Sequence, residues 1–352
     1  MRRPHRAAAG ATGGAPLTDT GYMTRVSRRA ALLGAVGCVC GVAGCTDRSP
    51  RTAARSSATT PAVAVSPSPR ASHRAGLPRT TPWRPTSAEV TPAAKLRAVR
   101  LVEAVGAWRP GESGTAAARS RVAALHLGPA LVGQAGPLLP KADAAALQVI
   151  DAQYGGILTD SASVLVVCRQ WTRSADRVRA GGTTVDVRLV RTASGWTVTS
   201  LHPARPGAAV SPVPSRVRGI LSDPRIELPP AARADLRSGQ VHDSVLAAML
   251  RLARTYRMSV SVVRSGHPLD VFGTRRPSDH PRGRAFDVWR IDGHPVVDPG
   301  TSRTLIERFM RDAAAAGSYN VGGPLRPSGG ATANQFFSDA THHDHVHIGF
   351  RT

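Results

Sequence analysis

The chain has 352 residues, a formal net charge of +23 and only 4% aromatic residues. This length leaves room for two modest domains. The charge favours an anionic neighbour, such as nucleic acid, membrane headgroups or an anionic wall polymer, although an arginine-favouring genome would give the same balance. Because no basic run is interleaved with aromatic residues and no nucleic-acid motif is present, we expect no nucleic-acid partner.

The first 45 residues have the pattern of an export signal. Ser27-Arg28-Arg29 precedes an apolar run over 30–44, which is too short for an ordinary membrane span. The paired arginines suggest the twin-arginine route. Val42-Ala43-Gly44-Cys45 resembles a bacterial lipoprotein box, which implies a lipid anchor at Cys45 on the outer face of the cytoplasmic membrane. A simple signal peptide or a short anchor is the alternative.

Residues 46–92 are rich in Ser, Thr, Pro, Ala and Arg and have no hydrophobic period. This composition predicts a disordered linker with an average reach of roughly 40 Å. If the signal is removed and Cys45 is modified, Cys168 is the one free thiol left, so no intrachain disulfide is possible. The valine-rich surroundings of Cys168 predict a buried strand residue.

The segment 93–205 is predicted to be a small α+β domain, with helices first and an antiparallel meander after them. A helical period begins at Lys95, and further helices are expected over 116–132 and 142–158. Strands follow over 161–171, 183–191 and 196–202, the last two joined by a hairpin. The order resembles the nuclear-transport-factor-like or cystatin-like fold. No catalytic constellation is visible, and we expect the Arg and Asp side chains to be solvated.

The segment 215–352 is predicted to be a second α+β domain, a small antiparallel sheet with flanking helices. Helices are expected over 241–257 and 301–316, the second capped by Ser302 and stopped by Gly317. Strands are expected over 258–263, 285–291, 319–321 and 344–350. The Gly-, Pro- and Ser-rich stretch 322–334 is predicted to be a loop, either at the rim of a cleft or as a plain surface excursion.

Two short stretches in this second domain carry the residues for metal chemistry. They are Ser278–Asp287 and Thr341–Ile348, which together offer imidazoles and a carboxylate for a zinc ion, with a spare acid and spare histidines. His280 and Asp287 are too far apart on a single helix or strand to share an ion. The chain must therefore double back between them, at Pro281 and Gly283.

The pattern Ser-x-His-x-x-Gly-x-Ala-x-Asp, followed later by Asp-His-x-His, resembles the zinc D-Ala-D-Ala carboxypeptidases and dipeptidases. This group includes lysostaphin-type and penicillin-insensitive murein endopeptidases. Ser278, His280, Gly283, Ala285 and Asp287 match the first motif. The resemblance covers roughly 215–352 and implies that His280, Asp287 and His347 hold Zn²⁺. It implies Asp344 as the catalytic base and His345 as the first histidine of the pair. His342 fits a His-x-x-His-x-His version.

The sequence departs from this family at one place. Many relatives have Ser-Gly-Tyr-Arg, whereas this chain has Ser265-Gly266-His267-Pro268, so the substrate-binding arginine is absent there. Arg264, Arg275 or Arg284 could replace it. His267 could face the cleft.

The identity of the base stays open between two residues. The resemblance favours Asp344, but on a continuous strand Asp344 points away from His347, whereas His345 has the right parity. Asp344 can reach the site only if the backbone is irregular before His345. Asp344 is our preferred base, with His345 positioning the reactants or stabilising the oxyanion.

Together these features predict an exported enzyme of the cell envelope, a monomeric zinc metallopeptidase acting on peptidoglycan stem peptides or cross-links. A carboxypeptidase, a dipeptidase and an endopeptidase fit equally. Two other hypotheses remain, a non-catalytic zinc-containing wall-binding lipoprotein and a basic polyanion-binding lipoprotein.

Overall fold

The computed structural model describes residues 76–352, which lie within one compact unit. The predicted signal, the paired arginines, Cys45 and most of the predicted linker lie outside the described residues. Over 76–352, no helix has both the length and the apolar character needed to cross a membrane. The architecture combines helices with two β-sheets, as expected for an α+β protein.

The first sheet is a four-stranded antiparallel meander preceded by helices. The elements are α1 Pro92–Gly106, α2 Gly114–Ala123, 3-10 turns Pro129–Gln134 and Gly136–Leu138, β1 Ala144–Ile157, β2 Ser161–Ser174, β3 Arg177–Thr192 and β4 Gly195–Pro203. The strands follow chain order across the sheet. Helix α1 packs on the sheet through Val99, Val102 and Val105, which are fully buried. Cys168 is buried in β2, as predicted.

The helix predicted over 142–158 is wrong, since these residues form β1. Three alanines open the segment and favour a helix by propensity. Pairing along the whole length of β2 overrides that preference, and β-branched Val149 and Ile150 suit a strand. The helix predicted over 116–132 is also too long: α2 ends at Ala123, and a 3-10 turn follows.

The second sheet is formed by the C-terminal half. Its elements are α3 Ser215–Ser222, β5 Ile226–Glu227, α4 Pro230–Arg237, α5 Asp243–Leu252, β6 Met258–Val260, β7 Ala285–Ile291, β8 His294–Pro295, α6 Arg303–Ala315, β9 Asn320–Gly322, β10 Phe336–Phe337, a 3-10 turn Thr341–His343 and β11 Val346–Gly349. The strand order is β10-β9-β11-β7-β6-β5, with β8 paired to β7.

This second sheet is mixed rather than purely antiparallel. The pairs β5–β6 and β9–β10 are parallel, whereas the central pairs β6–β7, β7–β11 and β11–β9 are antiparallel. Strand β7 has the predicted bounds. The hydroxyl of Ser302 caps α6 by accepting a hydrogen bond from the Leu305 amide, as predicted.

The two sheets contact each other through a small apolar cluster and through polar bonds. Leu165 and Val167 of β2 pack with Val262, next to β6. Residues before α1 also belong to this folded unit. Thr81 N–H donates to Gln148, and His343 Nε2 lies 3.0 Å from the carbonyl oxygen of Ala88. The predicted linker over 46–92 therefore ends before Thr81.

Candidate metal centre

Three side chains converge at the centre of the second sheet. His280 Nε2 lies 3.0 Å from Asp287 Oδ1 and 3.1 Å from His347 Nδ1, and His347 Nδ1 lies 3.0 Å from the same Asp287 oxygen. The side chains of His280 and Asp287 are fully buried, and His347 is 8% exposed. The residues that the sequence motif selects are therefore brought together, with one nitrogen or oxygen of each facing a common point.

Strand pairing explains how two of these residues meet. Asp287 of β7 is directly opposite His347 of β11 in the antiparallel ladder. Residues directly opposite on paired strands project from the same face of the sheet. The motif residues are thus adjacent although they lie 60 positions apart in the chain.

The third residue reaches the centre through a tight turn. Gly283 N–H donates to the His280 carbonyl, and Arg284 N–H donates to the Asp279 carbonyl, so the chain reverses before β7 as expected. Gly283 has φ +70°, and a Cβ there would lie 2.0 Å from the carbonyl oxygen of Gln240. Only glycine fits both the backbone conformation and the available space.

His280 is held in one tautomer. Its Nδ1 lies 2.8 Å from the Val263 carbonyl oxygen, which can only accept a hydrogen bond. Nδ1 therefore carries a proton, and Nε2 is the nitrogen that faces Asp287 and His347 and is available to bind a metal. A backbone carbonyl behind a ring nitrogen is a common support for a metal-binding histidine.

His267 is a third histidine at this centre. Its ring stacks on that of His280, with centroids 4.2 Å apart. Ligand atoms of His267, His280 and Asp287 all lie within 4.8 Å of one another, so these three side chains could hold a metal ion. His347 Nδ1 lies 3.1 Å from His280 Nε2 and 3.0 Å from Asp287 Oδ1, so His347 is a further candidate ligand at the same point. His267 faces the cleft described below, as the sequence suggested.

Asp344 and His345 form a buried pair beside the centre. The backbone of Asp344 is helical, with φ −103° and ψ −4°, and β11 begins only at Val346. With this irregular backbone, His345 lines the cleft, whereas Asp344 contacts His345 on one side and the first half of the chain on the other. His345 Nδ1 lies 2.5 Å from Asp344 Oδ1, and its Nε2 lies 3.8 Å from Asp287 Oδ2.

The second oxygen of Asp344 is bound by the first half of the chain. Asp344 Oδ2 lies 2.6 Å from the ammonium of Lys95 in α1 and accepts a 3.1 Å hydrogen bond from the Tyr154 amide in β1. The same ammonium contacts Glu89, and the Lys95 side chain is fully buried. Both carboxylate oxygens of Asp344 are thus engaged by protein groups.

The contacts of the Asp344–His345 pair lower the pKa of Asp344 and raise the pKa of His345. Burial raises the pKa of Asp344, but the charges of Lys95 and His345 outweigh it and lower that pKa to about 2. Burial lowers the pKa of His345, but the carboxylates of Asp287 and Asp344 raise it above its ordinary value. Burial lowers the pKa of His347 to about 4, so its imidazole is neutral and able to bind a metal near pH 7.

A cleft of about 820 Å³ opens onto the centre. His280, His345 and His347 line it, together with Tyr319 and parts of the predicted loop at Thr332 and Asn334. Of the described arginines, Arg276 and Arg351 line this cleft, whereas the sequence candidates Arg264, Arg275 and Arg284 do not. The guanidinium of Arg351 stacks over the ring of Tyr319.

Sequence reasoning missed the contribution of the helix–meander half. Lys95 and Tyr154 contact Asp344, and Gln153 Nε2 donates a 2.7 Å hydrogen bond to Asp287 Oδ2. No catalytic constellation is visible in the sequence of 93–205, and the sequence did not predict that this segment supports the candidate site. One signal was available: Lys95 precedes Ala98, Val99 and Val102 by three, four and seven positions, on the apolar face of α1.

Comparison of this chain with protein-family models, with curated proteins and with solved structures gave no match. The function must therefore be inferred from the site itself.

Proposed function

We propose that this protein is a zinc-dependent peptidase that cleaves peptide bonds in peptidoglycan stem peptides or cross-links. One observation carries the proposal: His280, Asp287 and His347 place three ligand atoms 3.0–3.1 Å apart at the floor of a cleft, beside a buried Asp–His pair. The motif resemblance of 215–352 to the zinc D-Ala-D-Ala carboxypeptidase and murein endopeptidase group supplies the substrate class.

The donor set fits zinc. In a tetrahedral zinc site with bonds of about 2.0–2.1 Å, neighbouring ligand atoms are about 3.3 Å apart, close to the observed separations. Two imidazoles and one carboxylate leave one coordination position for substrate or water, as in catalytic rather than structural zinc sites. A bound zinc ion supplies Lewis-acid activation of a carbonyl and of water.

The role of base is better supported for His345 than for Asp344. Both Asp344 oxygens are engaged, and a pKa of about 2 makes that carboxylate a weak base near neutral pH. Asp344 instead accepts the Nδ1–H of His345, and the carboxylates that raise the pKa of His345 make its Nε2, in the neutral form of the ring, a stronger base than Asp344. His345 Nε2 takes the proton from the attacking water and returns it to the leaving amine.

Two further side chains fit roles toward the substrate. His342 lines the cleft, and Asp339 Oδ1 lies 2.8 Å from its Nδ1, which orients the ring. Its ring centroid is 5.6 Å from that of His347, so it is placed to donate to the developing oxyanion. Arg276 and Arg351 supply positive charge in the cleft for a substrate carboxylate.

The place of action follows from the N-terminal pattern. An exported, lipid-anchored enzyme at the outer face of the membrane would meet peptidoglycan, which lies outside that membrane. The net charge of +23 also suits an anionic wall environment. We propose a monomer anchored at Cys45, with no nucleic-acid partner.

The test is cleavage of defined muropeptides by the zinc-loaded full chain, read by mass spectrometry with and without a chelator. Chelator-sensitive cleavage would establish the peptidase and identify the bond, which separates carboxypeptidase, dipeptidase and endopeptidase activity. Absence of cleavage with one equivalent of zinc bound would favour the non-catalytic zinc-containing wall-binding lipoprotein.

A further inference from the structure

One contact joins the first sheet to the metal centre. Gln153 of β1 donates a 2.7 Å hydrogen bond from Nε2 to Oδ2 of Asp287 in β7. Both side chains are fully buried. Asp287 Oδ1 is the oxygen that faces His280 and His347. Gln153 therefore holds the oxygen that the centre does not use.

The amide of Gln153 is itself fixed in orientation. The hydroxyl of Ser261, next to β6, donates to Gln153 Oε1. A carboxylate can only accept hydrogen bonds, so the NH₂ group of Gln153 must face Asp287. The chain of contacts Ser261–Gln153–Asp287 thus has one consistent set of donors and acceptors, and it crosses from one sheet to the other.

We propose that Gln153 is a positioning residue for the metal, so that the helix–meander half is part of the metal centre rather than a separate accessory domain. This inference rests on the metal site of the proposed function. With Oδ2 held by Gln153, Asp287 presents Oδ1 alone to the centre. Without that bond the carboxylate is free to rotate, and a fraction of the molecules lose the arrangement that binds the ion.

Supporting residues that orient a metal ligand typically change metal affinity about 10- to 100-fold when they are removed. The variant Gln153→Leu keeps a similar volume and removes both polar atoms. We expect it to weaken zinc binding by about that factor. Ser261→Ala, which frees the Gln153 amide without opening a large space, should weaken binding in the same direction by less.

A matched control is available in the same sheet. Gln170 of β2 is also buried, and its Nε2 donates to the carbonyls of Gly106 and Leu138, within the helix–meander half. Gln170→Leu should cost stability through the same kind of lost hydrogen bonds. Because Gln170 bonds to backbone in its own half, zinc affinity should be unchanged.

The experiment is a zinc titration of the full chain in competition with a chromophoric chelator, with thermal melting recorded for each variant. Weaker binding by Gln153→Leu and Ser261→Ala, with binding by Gln170→Leu unchanged, is the expected result. Wild-type affinity in a folded Gln153→Leu variant would overturn the inference, as would an equal loss in Gln170→Leu. If Gln153→Leu does not fold, the zinc affinity of Ser261→Ala decides: weaker binding than the wild type supports the inference, and wild-type affinity overturns it.

The readout separates this inference from the proposed activity. Zinc binding that depends on Gln153, in a protein that cleaves no muropeptide, would retain the positioning role and reject the peptidase. A wild-type chain that binds no zinc would reject both.

Discussion

The ammonium of Lys95 lies 2.6 Å from Oδ2 of Asp344, an ion pair between the first helix and the residue that orients His345. Neither side chain is significantly exposed, and Glu89 contacts the same ammonium. A buried lysine between two carboxylates compensates charges that could not otherwise be buried. The geometry of the Asp–His pair therefore depends on a residue from the other half of the chain.

Replacing Lys95 by Met should destabilise the protein by about 3–5 kcal/mol, because two buried carboxylates lose their counter-charge. The free energy of unfolding from urea denaturation measures this effect. Lys141→Met is the matched control, since Lys141 is exposed. Equal stability of the two variants would show that the buried ion pair does not support the fold.

Replacing His345 by Ala should lower kcat on a muropeptide by about 10²- to 10⁴-fold, the usual contribution of a general base. Zinc stoichiometry should stay at that of the wild type, because His345 is not one of the three proposed ligands. The exposed His294 provides the control variant His294→Ala, which should keep full activity. Full activity of His345→Ala would return the role of base to Asp344.

Replacing Gly283 by Ala should destabilise the turn that carries His280 and weaken zinc binding. Gly283 has φ +70°, and the added Cβ would lie 2.0 Å from a backbone oxygen. Gly293 has φ +88° with nothing within 4 Å of its Cβ position, so Gly293→Ala carries the backbone strain without the clash. An alanine held at such a positive φ lowers the free energy of unfolding by about 1–2 kcal/mol. Urea denaturation and zinc titration should both rank Gly283→Ala below Gly293→Ala.

Replacing Arg276 by Ala should raise KM for a muropeptide that ends in a free carboxylate, with a smaller effect on kcat. The reason is the loss of a cation from the lining of the cleft. Its neighbour Arg275 is exposed and outside that lining, so Arg275→Ala is the control. Equal KM values for both variants would exclude Arg276 as a substrate contact.

The local part of the centre could be predicted from sequence. The motif placed His280, Asp287 and His347 together, and the strand period gave β7 its bounds. The short spacing of His280 and Asp287 and the turn at Gly283 explain how these two residues meet, whereas His347 is 60 positions from Asp287 and was placed by the motif resemblance. From the sequence, an irregular backbone before His345 is a requirement for Asp344 to reach the site, but no pattern predicts one. A 3-10 turn next to a strand leaves no clear periodic signal.

The supporting part could not be predicted from sequence. Gln153 and Lys95 meet Asp287 and Asp344 only because the two halves of the folded unit pack against each other, and no local pattern encodes that packing. The wrong prediction of a helix over 142–158 also prevented Gln153 from being placed on a sheet that faces the second half of the chain. Alanine-rich strands of this kind are decided by tertiary pairing.

The most direct test of the proposed metal centre is the zinc content of the full chain after dialysis, for the wild type, His347→Ala, Asp287→Ala and His267→Ala. We predict one zinc per wild-type chain and per His267→Ala chain, and loss of tightly bound zinc from the other two. Retention of zinc by His347→Ala, with loss from His267→Ala, would contradict the proposed ligand set and assign the third ligand to His267.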